Sequence, residues 1–306
     1  MTWMKQELAA AIAPLLRVAP LVDVAMCDYT TWRIGGPADI LVQPSDEEEL
    51  SALLTLLAER DVPWLVIGNG SNLLVADSGI RGVVIRMAEH FSSAVWRGDE
   101  VEASAGMLLA ALALEAAERG LAGLEFARGI PGSVGGGIRM NAGAYDGRLG
   151  DFVTFVAAVG FDGQPIRLER EQIHFAYRDS SLFALKAVIT RVGMRLQPGE
   201  REPILAKMKE YSQRRSLAQP LEFPSCGSVF RNPDGDHAGH LIEMAGLRGT
   251  RVGGAEVSQK HGNFIINRGN ATAPEVRELI ELVQERVYAY AGIRLVPEVK
   301  FVGDFD

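Results

Sequence analysis

Three observations predict an α+β protein with a separate second domain. Helical and strand patterns are interspersed without regular βαβ alternation. Two glycine-dense loops are carried on strand-like runs rather than on helix starts. The 306 residues are 47% hydrophobic and 23% charged, enough for the cores of two or three compact units.

Residues 1–20 read as a short amphipathic helix. Ser45 followed by Glu48 makes a capping box for a helix whose stripe is Leu50, Leu53, Leu54 and Leu57. Strands follow at 64–67, 73–76 and 82–87. Met107 to Arg119 predicts a helix with Leu108, Ala111, Leu112 and Glu115 on successive turns, stopped by Gly120. Strands are expected near 152–160, 164–168 and 186–197, with Pro198-Gly199-Glu200 as a domain boundary. A connecting helix spans 202–215, and 220–232 is extended and turn-rich. Residues 255–267 alternate as strands. Thr272 and Glu275 cap a last helix with the buried stripe Val276, Leu279, Ile280, Val283 and Val287, ended by Gly292. An extended run over 295–302 carries Glu298. The expected organisation is an N-terminal helix (1–20), two lobes (21–88 and 89–199), a second domain (200–296) and a returning strand (297–306).

The first glycine loop, Gly68-Asn69-Gly70-Ser71-Asn72, lies between two strands and lacks the third glycine of a Rossmann fingerprint. The second runs from Gly129 to Tyr145, with glycines at 129, 132, 135, 136, 137 and 143. Neither is followed by Gly-Lys-Ser/Thr, so a Walker loop is absent. Such density suits backbone amides closing on a flat or phosphorylated cofactor without lysine.

Net charge is −8 and the pI about 5.3, which argues against a nucleic-acid surface. Residues 201–306 hold 14 basic and 14 acidic side chains, so the whole negative balance lies in the first 200 residues. Cys27 and Cys226 are too few for a zinc or disulfide framework, and Cys226 reads as a small buried thiol. The apolar stretch Leu8 to Leu16 is broken by Pro14 and too short for a membrane span. A cytoplasmic protein, a monomer or weak dimer with no metal, is expected.

Three polar residues stand on otherwise structural segments: Ser228 in Cys226-Gly227-Ser228-Val229-Phe230, Arg178 in Tyr177-Arg178-Asp179-Ser180, and Glu298 in Pro297-Glu298-Val299. No histidine base accompanies Ser228, and no Gly-x-Ser-x-Gly elbow surrounds it, so a serine hydrolase is hard to build. Taken singly, Ser228 reads as a turn hydroxyl, Arg178 as a salt-bridge partner and Glu298 as an exposed strand carboxylate.

Taken in order, the motifs are similar to those of the UDP-N-acetylenolpyruvoylglucosamine reductases. They comprise Thr30-Thr31-Trp32-Arg33-Ile34-Gly35-Gly36-Pro37-Ala38-Asp39, the Gly68–Asn72 loop, Ile130-Pro131-Gly132-Ser133 through Tyr145, and Tyr177-Arg178-Asp179-Ser180. Gly227-Ser228-Val229-Phe230-Arg231-Asn232-Pro233, Val257-Ser258-Gln259-Lys260-His261 and Pro297-Glu298-Val299 complete them, from about Thr30 to Gly303. The resemblance implies a two-lobed FAD-binding domain of the vanillyl-alcohol-oxidase-like type and a separate α+β substrate-binding domain. It implies FAD contacts at Arg33, Gly35, Gly68, Asn69, Gly70, Ser71, Asn72, Leu73, Gly129, Pro131, Gly132, Ser133, Gly135, Gly136, Asn141, Ala142, Gly143 and Ala144. Substrate contacts are implied at Tyr177, Asn232 and His261. Neither glycine loop carries a histidine or cysteine, so FAD is expected to be non-covalent. The short span from Ser180 to Gly227 places the chain with members that lack a tyrosine-bearing substrate loop.

The implied chemistry is reduction of an enolpyruvyl ether on a UDP-sugar, with NADPH as hydride donor. Arg178 would hold the substrate carboxylate with its planar, permanently charged fork. Glu298 would orient or share a proton with the developing acid if burial raises its pKa. Ser228 would protonate the adjacent carbon, a transfer from a weak acid to a much stronger base. The alternatives are an FAD-dependent alcohol or phenol oxidase of the same fold and a non-catalytic flavin-binding module. Three positions depart from the family pattern: Asp146 follows Tyr145 where glycine is expected, Arg231 replaces lysine, and Gly262 replaces alanine.

Overall fold

The structure is a computed structural model describing residues 4–305. The chain forms two compact units. The first takes the chain up to Val22, Asp39–Asn69 and Gly82–Gln213, and the second takes Asp23–Ala38, Gly70–Arg81 and Arg214 onward.

The expected first helix is shorter than its pattern, and residues 1–3 lie outside the described residues. Helix α1 (Lys5–Ile12) yields to a 3₁₀ turn at Ala13–Leu15, because Pro14 has no N–H and its ring obstructs another α turn. Strands β1 (Leu21–Ala25) and β2 (Pro37–Val42) precede helix α2 (Glu47–Glu59). Strands β3 (Trp64–Ile67), β4 (Leu73–Val75) and β5 (Ile80–Arg86) follow. A four-stranded sheet runs β1-β2-β5-β3, with β3 parallel to β5. The α2 leucines at 50, 53, 54 and 57 are buried on Ile40, Val83 and Ile85, as the stripe predicts. The cap is displaced by one residue. Asp46, not Ser45, accepts from Glu49 N–H at 2.9 Å, and the Ser45 N–H donates to Glu49 Oε2 at 2.7 Å. A carboxylate suits the positive end of a helix better than a hydroxyl. The Glu49 amide in turn holds the Asp46 carboxyl below the usual carboxylate range.

The second core of the first unit is built on strands β6 (Ala94–Arg97) and β7 (Glu100–Ser104). Helices α3 (Leu109–Glu118) and α4 (Val134–Arg139) follow, then strands β8 (Val153–Gly160), β9 (Pro165–Glu169) and β10 (Ala187–Arg195). The strands form an antiparallel sheet ordered β9-β8-β10-β7-β6, with Val192 opposite both Val156 and Ala103. Helix α3 starts later than expected. Leu108 stays extended, forms a bridge with Ser133 and is 45% exposed, so the buried stripe is Leu109, Leu112, Ala113 and Ala116. Gly120 ends it at φ +68°. The long glycine loop is not wholly a loop, since α4 forms inside it. Helix α5 (Arg201–Ala218) closes the first unit and buries Ile204 and Met208 in this core.

In the second unit, α6 (Ala238–Met244) leads to a hairpin of β11 (Ala255–Val257) and β12 (Ile265–Asn267), paired Glu256 to Ile266. Helix α7 (Ala273–Ala291) carries both halves of the predicted Thr272–Glu275 capping box, buries the predicted stripe, and ends at Gly292 with φ +68°. Strand β13 (Lys300–Val302) runs parallel to β4. Trp32 is fully buried here; its indole donates to the Ile265 carbonyl at 2.8 Å, and the Asn267 amide donates to the Trp32 carbonyl at 3.0 Å. Among the described residues, no helix is long and apolar enough to cross a membrane.

Candidate active site

In the second unit, Gly227 adopts φ +82° and turns the chain so that Ser228 enters a short extended segment. That segment is held on two sides. Val229 N–H donates to the Asn263 carbonyl at 2.9 Å, and Glu298 N–H donates to the Val229 carbonyl at 2.7 Å. A bridge pairs Phe230 with Pro297, and Arg231 N–H donates to the Val296 carbonyl at 2.9 Å. The register therefore sets Val229 opposite Glu298, with Ser228 one step along. Asn72 joins them: its side-chain amide donates to the Glu298 carbonyl at 3.1 Å, and its own carbonyl accepts from Lys300 N–H at 2.9 Å. The thiol of Cys226 is buried, as expected. Burial, reinforced by the Glu298 charge, pushes its pKa far above the ordinary thiol value, so it stays a neutral thiol.

Asn263 is the residue that sequence reasoning missed. It is only 4% exposed, and its side chain accepts from Phe230 N–H at 2.9 Å and donates to the Phe230 carbonyl at 2.8 Å. A polar residue set in the apolar run Phe264-Ile265-Ile266 was the available signal. His261 supports it, accepting from Asn263 N–H at Nδ1 across 3.2 Å. Burial, with the Arg248 charge, holds the imidazole pKa below its usual value, consistent with the neutral acceptor. Asn232 accepts from Ala238 N–H at 3.1 Å, opening α6.

In the first unit, Arg178 occupies the turn of a small hairpin pairing Phe175 with Ser180 and Ala176 with Asp179. Its φ is +54°, and its guanidinium donates to the Gly143 carbonyl at 3.0 Å. Tyr177 beside it is exposed. Asn141 ties the same hairpin to the glycine segment, donating to the Ala176 carbonyl at 2.8 Å and accepting from Gly150 N–H at 3.0 Å. Ser228 and Glu298 are thus brought together in one unit, whereas Arg178 belongs to the other.

The two glycine loops meet in the first unit. Asn69 Nδ2 donates to the Pro131 carbonyl at 2.5 Å, and a Cβ on Gly68 would collide with the Ser133 hydroxyl. Several glycines of these motifs have packing reasons of their own. A Cβ on Gly135 would lie 2.8 Å from Ala105 Cβ, and one on Gly137 would lie 2.8 Å from Leu109 Cδ1. In the second unit, Gly35 and Gly36 are likewise crowded by Val75 and Asp77. Gly136 differs, with only Ser133 Oγ at 3.5 Å. The first α4 amides are all engaged, by Met107, Ala105 and Ser133. The backbone N–H groups of Gly68, Asn69, Gly132 and Ser133, however, have no acceptor among the described residues. Unpaired amides in two apposed loops form a cradle for anionic oxygens, so these residues fit the diphosphate of a dinucleotide cofactor.

Residues 38–169 match an FAD binding domain, and residues 219–302 match the UDP-N-acetylenolpyruvoylglucosamine reductase, C-terminal domain. The chain is 49% identical over 280 residues to the UDP-N-acetylenolpyruvoylglucosamine reductase of Heliobacterium modesticaldum, covering 91% of this chain and 89% of that one. The chain belongs to the UDP-N-acetylenolpyruvoylglucosamine reductase family. The Moorella thermoacetica reductase is 46% identical over 297 residues, covering 97% of this chain and 98% of that one. The crystal structure of the Thermus caldophilus reductase superposes with a TM-score of 0.82 at 40% identity, covering 94% of this chain and all of that one. The fold is that of this reductase family, and the chain is an FAD-dependent oxidoreductase.

Proposed function

We propose that the chain uses NADPH to reduce the enolpyruvyl ether of UDP-N-acetylglucosamine enolpyruvate, giving UDP-N-acetylmuramate for peptidoglycan precursors in the cytoplasm. The observation that carries this reading is the paired Ser228 and Glu298 segments, braced by Asn72 and Asn263. An oxidase or a flavin carrier has no need of that pairing.

The backbone amides of Gly68, Asn69, Gly132 and Ser133 would hold the diphosphate oxygens of a non-covalently bound FAD. FAD, when bound, supplies the hydride relay, from NADPH through its N5 position to the methylene carbon of the substrate. The protein manages the charge and the proton. Arg178 binds the substrate carboxylate, and its fixed positive charge stabilises the enolate-like charge that develops beside it. Glu298, held by backbone bonds on both sides, orients the reacting acid. The Ser228 hydroxyl delivers its proton to the carbon next to the carboxylate, so one hydride and one proton saturate the double bond. The proton lost from Ser228 Oγ is restored from solvent. Tyr177, Asn232 and His261 would supply further contacts to the UDP-sugar.

Ser228→Ala tests the reading. Flavin reduction by NADPH should survive within about twofold, while reoxidation by the enolpyruvyl substrate should slow by about 10²–10⁴-fold, the usual worth of a positioned proton donor. Equal loss in both halves, or unimpaired turnover, contradicts it.

A further inference from the structure

The Gly143–Arg148 hairpin and the segments tied to it hold several non-glycine residues in the left-handed backbone conformation. Among the described residues, the non-glycine positions with left-handed φ include Asn141 (+44°), Tyr145 (+50°), Asp146 (+68°) and Arg178 (+54°), all in or tied to this hairpin. Such conformations persist only where the surroundings over-determine them. Gly143-Ala144 pairs with Gly147-Arg148, so Tyr145 and Asp146 form a tight two-residue turn. The turn tip is clasped from outside. Tyr145 lies flat on Tyr211, with ring centroids 4.1 Å apart and planes within 6°, and its hydroxyl donates to the Tyr211 carbonyl at 3.1 Å. Tyr211 stands on α5, which is anchored by buried Ile204 and Met208 and by Lys207 against Glu125 at 3.7 Å. At the other end of the hairpin, the Gly143 carbonyl accepts from Arg178 Nη1 at 3.0 Å.

We propose that Tyr145, stacked on Tyr211, is a positioning residue for Arg178. The stack fixes the hairpin tip, the two-residue ladder transmits that constraint to Gly143, and the Gly143 carbonyl sets the direction of the guanidinium. The proposal rests on the reading that Arg178 binds the substrate carboxylate, and the test separates the two.

The holoenzyme and the variants Tyr145→Leu, Tyr145→Phe, Arg178→Lys and the Tyr145→Leu/Arg178→Lys double are compared. Affinity of the oxidised enzyme for the enolpyruvyl UDP-sugar is read from the perturbation of the flavin absorbance. The rate of flavin reduction by NADPH and the melting temperature are recorded alongside. Tyr145→Leu should weaken substrate binding about tenfold, the upper worth of an aromatic pair, with NADPH reduction and flavin content within about twofold. Tyr145→Phe keeps the stack and should bind substrate like the unmodified protein. In the Arg178→Lys background, Tyr145→Leu should add nothing, because the residue it aims is already altered. The same tenfold loss in that background overturns the proposal, as does a Tyr145→Phe defect equal to that of Tyr145→Leu. Unaltered binding by Arg178→Lys overturns the role of Arg178 and the proposal with it.

Discussion

A methyl group added at each of the three consecutive glycines of α4 should have three different consequences. At Gly135 the new Cβ would lie 2.8 Å from Ala105 Cβ and 3.2 Å from its carbonyl oxygen. Comfortable carbon contacts are about 3.5–4.0 Å, so the overlap is roughly 0.7 Å against atoms fixed to the backbone. Overpacking of that kind costs about 1–3 kcal/mol, against about 1 kcal/mol gained by replacing glycine with alanine in a helix. Gly135→Ala should therefore lose up to about 2 kcal/mol of apoprotein stability. At Gly137 the obstacles are Leu109 Cδ1 at 2.8 Å and Leu149 Cδ1 at 2.9 Å. Leucine ends yield more readily than backbone, so the net loss should be about 1 kcal/mol or less. At Gly136 the nearest atom is Ser133 Oγ at 3.5 Å, an ordinary contact. Gly136→Ala should leave the apoprotein equally or up to about 1 kcal/mol more stable, yet weaken FAD binding, because its side is left open by the protein's own side chains. Urea unfolding of the apoproteins and titration of FAD by flavin fluorescence provide the two readings. A Gly136→Ala apoprotein as unstable as Gly135→Ala, or one that binds FAD with unchanged affinity, refutes the reasoning.

Thr272→Ala removes the hydroxyl that accepts from Glu275 N–H at 3.3 Å and should cost about 1 kcal/mol of stability, measured by denaturant unfolding. His261 gives a pH dependence. Its pKa in the folded protein is below the unfolded value, so its contribution to stability is complete above the unfolded imidazole pKa of 6.5 and is lost as pH falls through the lower folded value. Unfolding followed from pH 8 to pH 5 should show that loss, and His261→Gln should flatten it; an unchanged slope contradicts the buried, neutral assignment.

Long amphipathic elements were legible because a single physical rule sets them. The α2 leucine stripe and the capping box and stripe of α7 follow directly from helical periodicity and cap chemistry. Errors fell where two neighbours competed for one role. Asp46 outcompeted Ser45 as cap, and Leu108 was drawn into a bridge with Ser133 instead of the helix. The glycine runs also have a packing reason that no local pattern shows. Gly135 and Gly137 admit close packing of α4 on Ala105 and Leu109, a constraint created by distant segments. Ser228 and Glu298 were recognisable as motifs, yet their adjacency depends on a bridge across nearly seventy residues that no local pattern encodes. Asn263 escaped notice for the same reason, since its partners lie at Phe230.

The most direct test of the central claim is the visible spectrum of the purified holoenzyme, recorded anaerobically through addition of NADPH and then of UDP-N-acetylglucosamine enolpyruvate. The flavin absorbance should bleach with NADPH and return on addition of the enolpyruvyl sugar, without oxygen. Bleaching that only oxygen reverses would instead identify an oxidase, and a protein that takes up no FAD would contradict the account at its foundation.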